Sequence, residues 1–475
     1  MLRFFLFSKQ RVETLRRNVS TLAVLMVVLS FATAYAQANA PIAFTILGPD
    51  GVVARAIVES GGCPQVTVNG NASAMQQRAA PSTDFPVTVC DALLPANATS
   101  ASVNGQALKL PKAQPQRVIV IGDTGCRLKG ENVQSCNDPA QWPFAQVSDS
   151  AAKTNPDLVI HVGDYHYRES PCIVDKANCA GSPFGDNWAA WNADFFTPGA
   201  SLLKAAPWVI VEGNHEDCAR AGIGYFLLLD PRAMPPSCPT YTDPYAINYM
   251  DPQLMVLDDS AVDDFNIKPD QVAEFTKQFG QINQLAKGTT WLLLHDPMYV
   301  FGHAGVKDGK EQLFQDQPTL QQASNNTFPP SVQMFIGGHI HLFEVLNFDG
   351  TRPPQLVVGN SGTLLDPAIT TPLTGLEIAG MKVSYGTMID RFGFVTMERG
   401  EGQWALGIKN VSGGDMDKCV LKDRSLLCGQ AALPKVGGDF DVMQQLWLVL
   451  VALGAAVVLM GMALGVRGMW MSARI

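Results

Sequence analysis

The chain has 475 residues, 47% of them hydrophobic and 16% charged, and a formal net charge of -9. The length exceeds one ordinary domain, and a mean hydropathy of +0.08 is high for a wholly soluble protein. The acidic balance, with a pI near 5.3, argues against nucleic acid as the main partner, so an anionic substrate has to be attracted locally.

Residues 1–40 carry Arg3, Lys9, Arg11, Arg16 and Arg17, then the apolar run "LAVLMVVLSFA" and the small residues of "AYAQANA". This order predicts an export signal cleaved after Ala36 or Ala40, with an uncleaved anchor as the alternative. The Arg16-Arg17 pair leaves export in the folded state open. Residues 41–115 show short Val- and Thr-rich stretches ("AFTILG", "VVARAIVE", "QVTVNG", "FPVTVCDALL", "SASVNG") punctuated by Gly, Pro and Asn. They predict a small N-terminal β-sandwich domain, with Cys63 and Cys90 as its staple and "AQPQ" as the linker that follows.

From residue 116 to about 415 the rhythm changes. Apolar strands ("VIVIGD", "LVIHVGD", "WVIVEGNH", "LMVLDD", "WLLLHD", "MFIGGHIH", "LVVGNSG") alternate with helix-compatible stretches such as "NWAAWNADFF" and "QVAEFTKQFGQINQLAKG". That alternation predicts a layered α/β catalytic domain whose ligands gather beyond the carboxyl ends of the strands. "YGTMIDRFGFVTMERGEGQWALGI" reads as a closing hairpin. Residues 416–445, with Cys419 and Cys428, read as a disulfide-containing stalk. Residues 446–466 are 21 uncharged residues, long enough for a transmembrane helix. Asp439 and Asp441 precede that run and Arg467 and Arg474 follow it, which leaves 467–475 as a cytoplasmic tail and the body in the periplasm or extracellular space. The ten cysteines mostly lie as close pairs; neighbour pairing would close short loops and suits an oxidising compartment, although sequence alone leaves the connectivity open. No C-x-x-C occurs, which weighs against a zinc cluster.

Five motifs fall at the strand ends: "GDTG" with Asp123, "GDYHY" with Asp164 and Tyr167, "GNHE" with Asn214 and His215, "LLLHD" with His295, and "GGHIHLFE" with His339 and His341. Each alone is common; the ordered set, each member after an apolar strand, is specific. In an extended segment His339 and His341 face the same side, so both imidazoles can reach neighbouring cations.

The set resembles the calcineurin-like metallophosphoesterase superfamily, and within it the purple acid phosphatases, over about 117–412. The resemblance implies a four-layered α/β/β/α core that holds two metal ions and hydrolyses phosphate esters. Where many relatives carry a histidine two residues after the first aspartate, this chain has Gly125; the purple acid phosphatase pattern puts a tyrosine three residues after the second aspartate, and Tyr167 stands there. By that resemblance Asp123, Asp164, Tyr167 and His341 hold the first ion, and Asp164, Asn214, His295 and His339 the second, with Asp164 bridging. A phenolate favours ferric iron in the first position; an amide with two imidazoles suits divalent Fe, Zn or Mn in the second.

The reaction implied is attack by metal-activated hydroxide on a phosphomonoester, with His215 protonating the leaving oxygen or binding phosphate. Glu216 either orients His215 or is a solvated acid. His303 and His166 are candidate substrate contacts, His161 a core histidine, and Arg168 and Glu169 local ion pairs. Two other readings stand beside this one: a diesterase acting on nucleotides or lipid head groups, and a non-catalytic surface binding protein with a vestigial metal site. No protein partner is inferable.

Overall fold

The structure, a computed structural model, describes residues 40–173 and 178–429. The predicted signal segment, the transmembrane stretch 446–466, the tail and the stalk beyond residue 429 lie outside the described residues.

"VIVI" at 118–121 shows why the strands form where they do. Val118 and Val120 point into one apolar cluster and Ile119 and Ile121 into another, all fully buried. A strand covered on both faces reads as a continuous β-branched run. Arg117–Ile121 pairs in parallel with Leu158–His161, which pairs in parallel with Trp208–Ile210. These three are the middle of an 11-stranded sheet. A second sheet of 8 strands contains the parallel strands Gln253–Val256, Thr290–Leu293, Val332–Gly337 and Gln355–Val358.

The sheets pack face to face through Val120, Ile160, Val209, Leu254, Leu293, Ile336 and their neighbours. The outer face of the first is covered by Phe144–Ala152, Trp188–Trp191 and Gly222–Leu228, and that of the second by Pro269–Leu285 and Pro318–Ser324. The order of layers is therefore α/β/β/α.

Two expected boundaries are not breaks in the structure. Residues 41–115 do contain two layers around Ala54, Val66, Val103 and Leu108, but one layer belongs to the first sheet. Ile42–Gly48 pairs in parallel with Trp208–Ile210, and Gly51–Val58, Thr88–Leu94 and Gln76–Ala79 continue outward from it. Only the sheet of Asn71–Ala74, Gln65–Val68, Ala101–Val103 and Gln106–Leu108 is separate. Likewise Asp415–Lys422 and Ser425–Cys428, assigned to a stalk, form the opposite edge of the first sheet. Local alternation marks a strand and its buried face; it does not name the neighbour.

The cysteines pair 63–90, 126–136, 172–179, 218–238 and 419–428, leaving none free. Among the described residues no helix is long and apolar enough to cross a membrane.

Candidate metal centre

Asp123, Asp164 and Asn214 lie just beyond three neighbouring parallel strands of the first sheet, and His295 and His339 just beyond two of the second. Because the sheets are stacked, these loops meet at one end of the sandwich. Asp123, Asp164 and His339 have φ of +54°, +60° and +68°, left-handed values that Asp and His tolerate better than branched residues do. The turn is held by Glu216, fully buried, which accepts from the amides of Asp164, Tyr165 and His166 at 2.9 Å and of Gly213 at 3.2 Å. The His215 amide donates to Asp164 Oδ1 at 2.9 Å.

On one flank the donors converge on the Tyr167 phenol. Its Oη lies 2.5 Å from Asp164 Oδ2, 3.0 Å from Asp123 Oδ1 and 3.0 Å from His341 Nε2. Gly125 has a steric reason: a Cβ there would sit 2.8 Å from Tyr167 Cδ2 and 2.7 Å from Asp194 Oδ2. The space a side chain at 125 would use is filled by the Tyr167 ring.

On the other flank His295 Nε2 is 3.3 Å from Asp164 Oδ2, and its Nδ1 is 2.7 Å from the Val162 carbonyl. That contact fixes the ring and leaves Nε2 free to donate its lone pair. Asn214 Oδ1 is buried without a partner. His339 Nδ1 lies 3.3 Å from Asp296 Oδ1. Asp123, Asp164 and His295 form one group whose donor atoms all lie within 4.8 Å, and His295, Asp296 and His339 form a second. Orphaned acceptors beside paired carboxylates are what a cation would satisfy, so the residues fit two ions. Asp296 joins the predicted set; it stands in the quoted "LLLHD", directly after His295.

Charge is distributed unevenly across the centre. Burial, and then the neighbouring Asp164, raise the Asp123 carboxyl well above its usual range. Burial also opposes ionisation of Asp164, but the imidazoles of His295 and His215 and the hydrogen bonds it accepts outweigh it, and this carboxylate is held low. Burial and the two aspartates keep the Tyr167 phenol protonated in the absence of a cation. Burial lowers His339 to about 4 and His341 to about 3, so both imidazoles are neutral and able to ligate at neutral pH.

His215 packs against Tyr167 with ring centroids 3.9 Å apart and the planes tilted by 36°, and its Nε2 is 4.0 Å from Asp164 Oδ2. Its Nδ1 is 2.6 Å from Glu169 Oε1, and Glu169 is also paired with Lys129 at 3.4 Å. Glu169, not Glu216, therefore orients His215; Glu216 is neither solvated nor near the imidazole nitrogens but is a loop anchor. Arg168 pairs with the buried Asp194 at 2.7 Å. The two nominated substrate contacts have protein partners of their own. His166 is buried with Nε2 3.1 Å from the Gly185 carbonyl and its ring against Trp191. His303 lies on the hairpin of Phe301–Lys307 and Lys310–Gln315, paired with Glu311 at 3.2 Å. His161 is a core residue, stacked on Tyr165 and 2.9 Å from Thr124 Oγ1.

Residues 116–343 match the profile of the calcineurin-like phosphoesterase family. Among solved structures, a purple acid phosphatase, PPD1, from yellow lupin (Lupinus luteus) seeds aligns with a TM-score of 0.54 at 15% identity, over 84% of this chain and 77% of that one. PhoD aligns with a TM-score of 0.50 at 12% identity, over 84% of this chain and 93% of that one. At these identities the likeness is one of fold. No curated protein matches the chain at a significant level. Profile and centre agree: residues 116–343 form a calcineurin-like phosphoesterase domain, and the chain is a metal-dependent phosphoric ester hydrolase.

Proposed function

We propose that the chain is an exported, binuclear phosphoesterase that hydrolyses phosphomonoesters in the manner of a purple acid phosphatase. The observation that carries this reading is the convergence of Asp123, Asp164 and His341 on the Tyr167 phenol, beside the partnerless Asn214 Oδ1 and the His295 Nε2 that faces Asp164.

Asp123, Asp164, Tyr167 and His341 would hold one ion, ferric iron by the preference of a phenolate. Asp164, Asn214, His295 and His339 would hold a divalent Fe, Zn or Mn ion. Bound ions supply Lewis-acid charge to the phosphoryl oxygens and make water nucleophilic near neutral pH. The chain's own part is to place the acid and exclude competitors. His215, kept against the Tyr167 ring and paired with Glu169, carries a proton on the Asp164 side and delivers it to the leaving oxygen. No side-chain nucleophile is required, so no phosphorylated residue forms.

Export is supported by the five disulfides and the absence of a free cysteine. Anchoring through 446–466 rests on the uncharged run of that segment.

The test is metal analysis of the purified protein with visible absorbance, alongside turnover of a phenyl phosphate monoester and diester. Two ions per chain, a tyrosinate-to-iron charge-transfer band and faster monoester turnover are expected. A protein that hydrolyses neither ester with any of these metals would refute the proposal; a colourless, active zinc form would refute only the iron.

A further inference from the structure

We infer that Arg127 is the phosphate-binding side chain of this site, gripping the unesterified oxygens of the substrate and thereby favouring monoesters over diesters. The inference rests on the phosphoesterase reading above and adds a residue that no strand-end motif includes.

Arg127 is held from a rigid base. The Cys126 amide donates to Asp194 Oδ1 at 2.8 Å, and Cys126 is bridged to Cys136. The Arg127 amide donates to Gln134 Oε1 at 3.1 Å, and its carbonyl accepts from the Gln134 amide at 2.8 Å. The Leu128 amide donates to the Tyr167 carbonyl at 2.9 Å. Three consecutive residues are thus pinned, one of them to the candidate ligand Tyr167. A cation presented this way loses little further backbone freedom when it binds.

From that base the guanidinium reaches the centre itself. Nη2 lies 3.4 Å from His341 Nε2, and Cζ lies 4.7 Å from the centroid of the Tyr167 ring. His215 packs against the same ring, so the tyrosine is flanked by the candidate proton donor and by this arginine. The other cations nearby are already neutralised, Lys129 by Glu169 and Arg168 by Asp194. Among the described residues Arg127 meets an imidazole and an aromatic face, with no carboxylate in ion-pair contact. A fixed cation without an anion, at the rim of a centre for phosphate, is placed for the anion the substrate brings.

The chemistry sets the preference. A guanidinium fork matches two oxygens of one phosphate. A monoester offers three unesterified oxygens and, near neutral pH, a second negative charge; a diester offers two oxygens and one charge. With ions claiming part of that set, the extra oxygen of the monoester is the one left for Arg127, so its contribution falls mainly on the monoester.

The experiment compares the metal-loaded full chain with Arg127→Ala and Arg127→Lys, using 4-nitrophenyl phosphate, bis(4-nitrophenyl) phosphate and inhibition by inorganic phosphate, with metal content measured in parallel. For Arg127→Ala, kcat/KM on the monoester is expected to fall about 100-fold. Phosphate inhibition weakens with it, diester turnover falls by less than about 10-fold, and the metal content is unchanged. Arg127→Lys recovers part of the phosphate inhibition. Equal losses on both esters, unchanged phosphate inhibition, or loss of metal from the variant would each overturn the assignment. A wild-type chain active on either ester beside an equally active Arg127→Ala sinks this inference alone; a wild-type chain inactive on both sinks it together with the phosphoesterase reading.

Discussion

Around Tyr167 the donor atoms of the centre satisfy one another, whereas Asn214 and Asp296 on the other flank each keep an oxygen that nothing satisfies. The phenol sits within hydrogen-bond distance of two carboxylates and an imidazole. On the other flank Asn214 Oδ1 and Asp296 Oδ2 are buried without hydrogen-bond partners, and His295 Nε2 meets only the Asp164 carboxylate, at 3.3 Å. An orphaned buried polar group costs about 1–3 kcal/mol. The first flank can therefore close on a shared proton when no cation is present, and the second flank has no such recourse. The lesson is that one site can contain a half that is self-consistent as a polar network and a half that makes sense only around an ion.

The strongest way to break this contrast is Asp164→Asn, since Asp164 belongs to both flanks. Turnover should fall to the uncatalysed background and metal content should drop, as read by ester hydrolysis and elemental analysis. His215→Ala leaves both flanks whole and removes only the proton donor; kcat should fall about 100-fold to 10,000-fold with metal retained. Tyr167→Phe breaks the first flank alone. The charge-transfer band should vanish and kcat/KM fall about 10-fold to 100-fold, while one ion per chain remains.

Gly125→Ala sharpens the steric side of the comparison, because a Cβ there meets Tyr167 and Asp194 at under 3 Å. Stability should fall by about 1–3 kcal/mol in thermal unfolding, with a shifted visible band. The smallest effect concerns Glu169, outside both flanks. Burial raises its carboxyl, but the contact with His215 and the charges of Lys129 and Arg220 win, and its pKa is pulled from 4.5 to about 2. A lowered carboxylate stabilises the fold above its unfolded pKa, and that contribution is lost as pH falls through the folded one. The stability advantage of wild type over Glu169→Gln should thus hold from neutral pH to about 4.5 and shrink towards about 2, measured by urea midpoints.

Donors that end apolar strands were legible as residues: Asp123, Asp164, Asn214, His295, His339 and His341 each follow a run whose burial the pattern announces. Tyr167 was legible only through resemblance, since an aromatic near a loop has no periodic signature. Arg127 carried no signal, and Glu169 only that of a local ion pair. Each lies on an irregular segment, and what gives it a role is a partner far away in the chain, His215 in one case and His341 in the other. For His166 and His303 the sequence likewise could not name the partners: their side chains meet the Gly185 carbonyl and Glu311.

By itself the amino-acid sequence determined which segments become buried strands, which side chains stand at their ends, and that neighbouring cysteines could close short loops. Burial and reach along the chain are local quantities that a few consecutive residues encode. Only the tertiary structure decided that Ile42–Gly48 lies beside Trp208–Ile210, that Asp415–Lys422 extends the same sheet, and that a carboxylate and a guanidinium flank the candidate centre. Strand pairing and side-chain encounter depend on how separate surfaces fill space against one another, and no short stretch of residues contains that information.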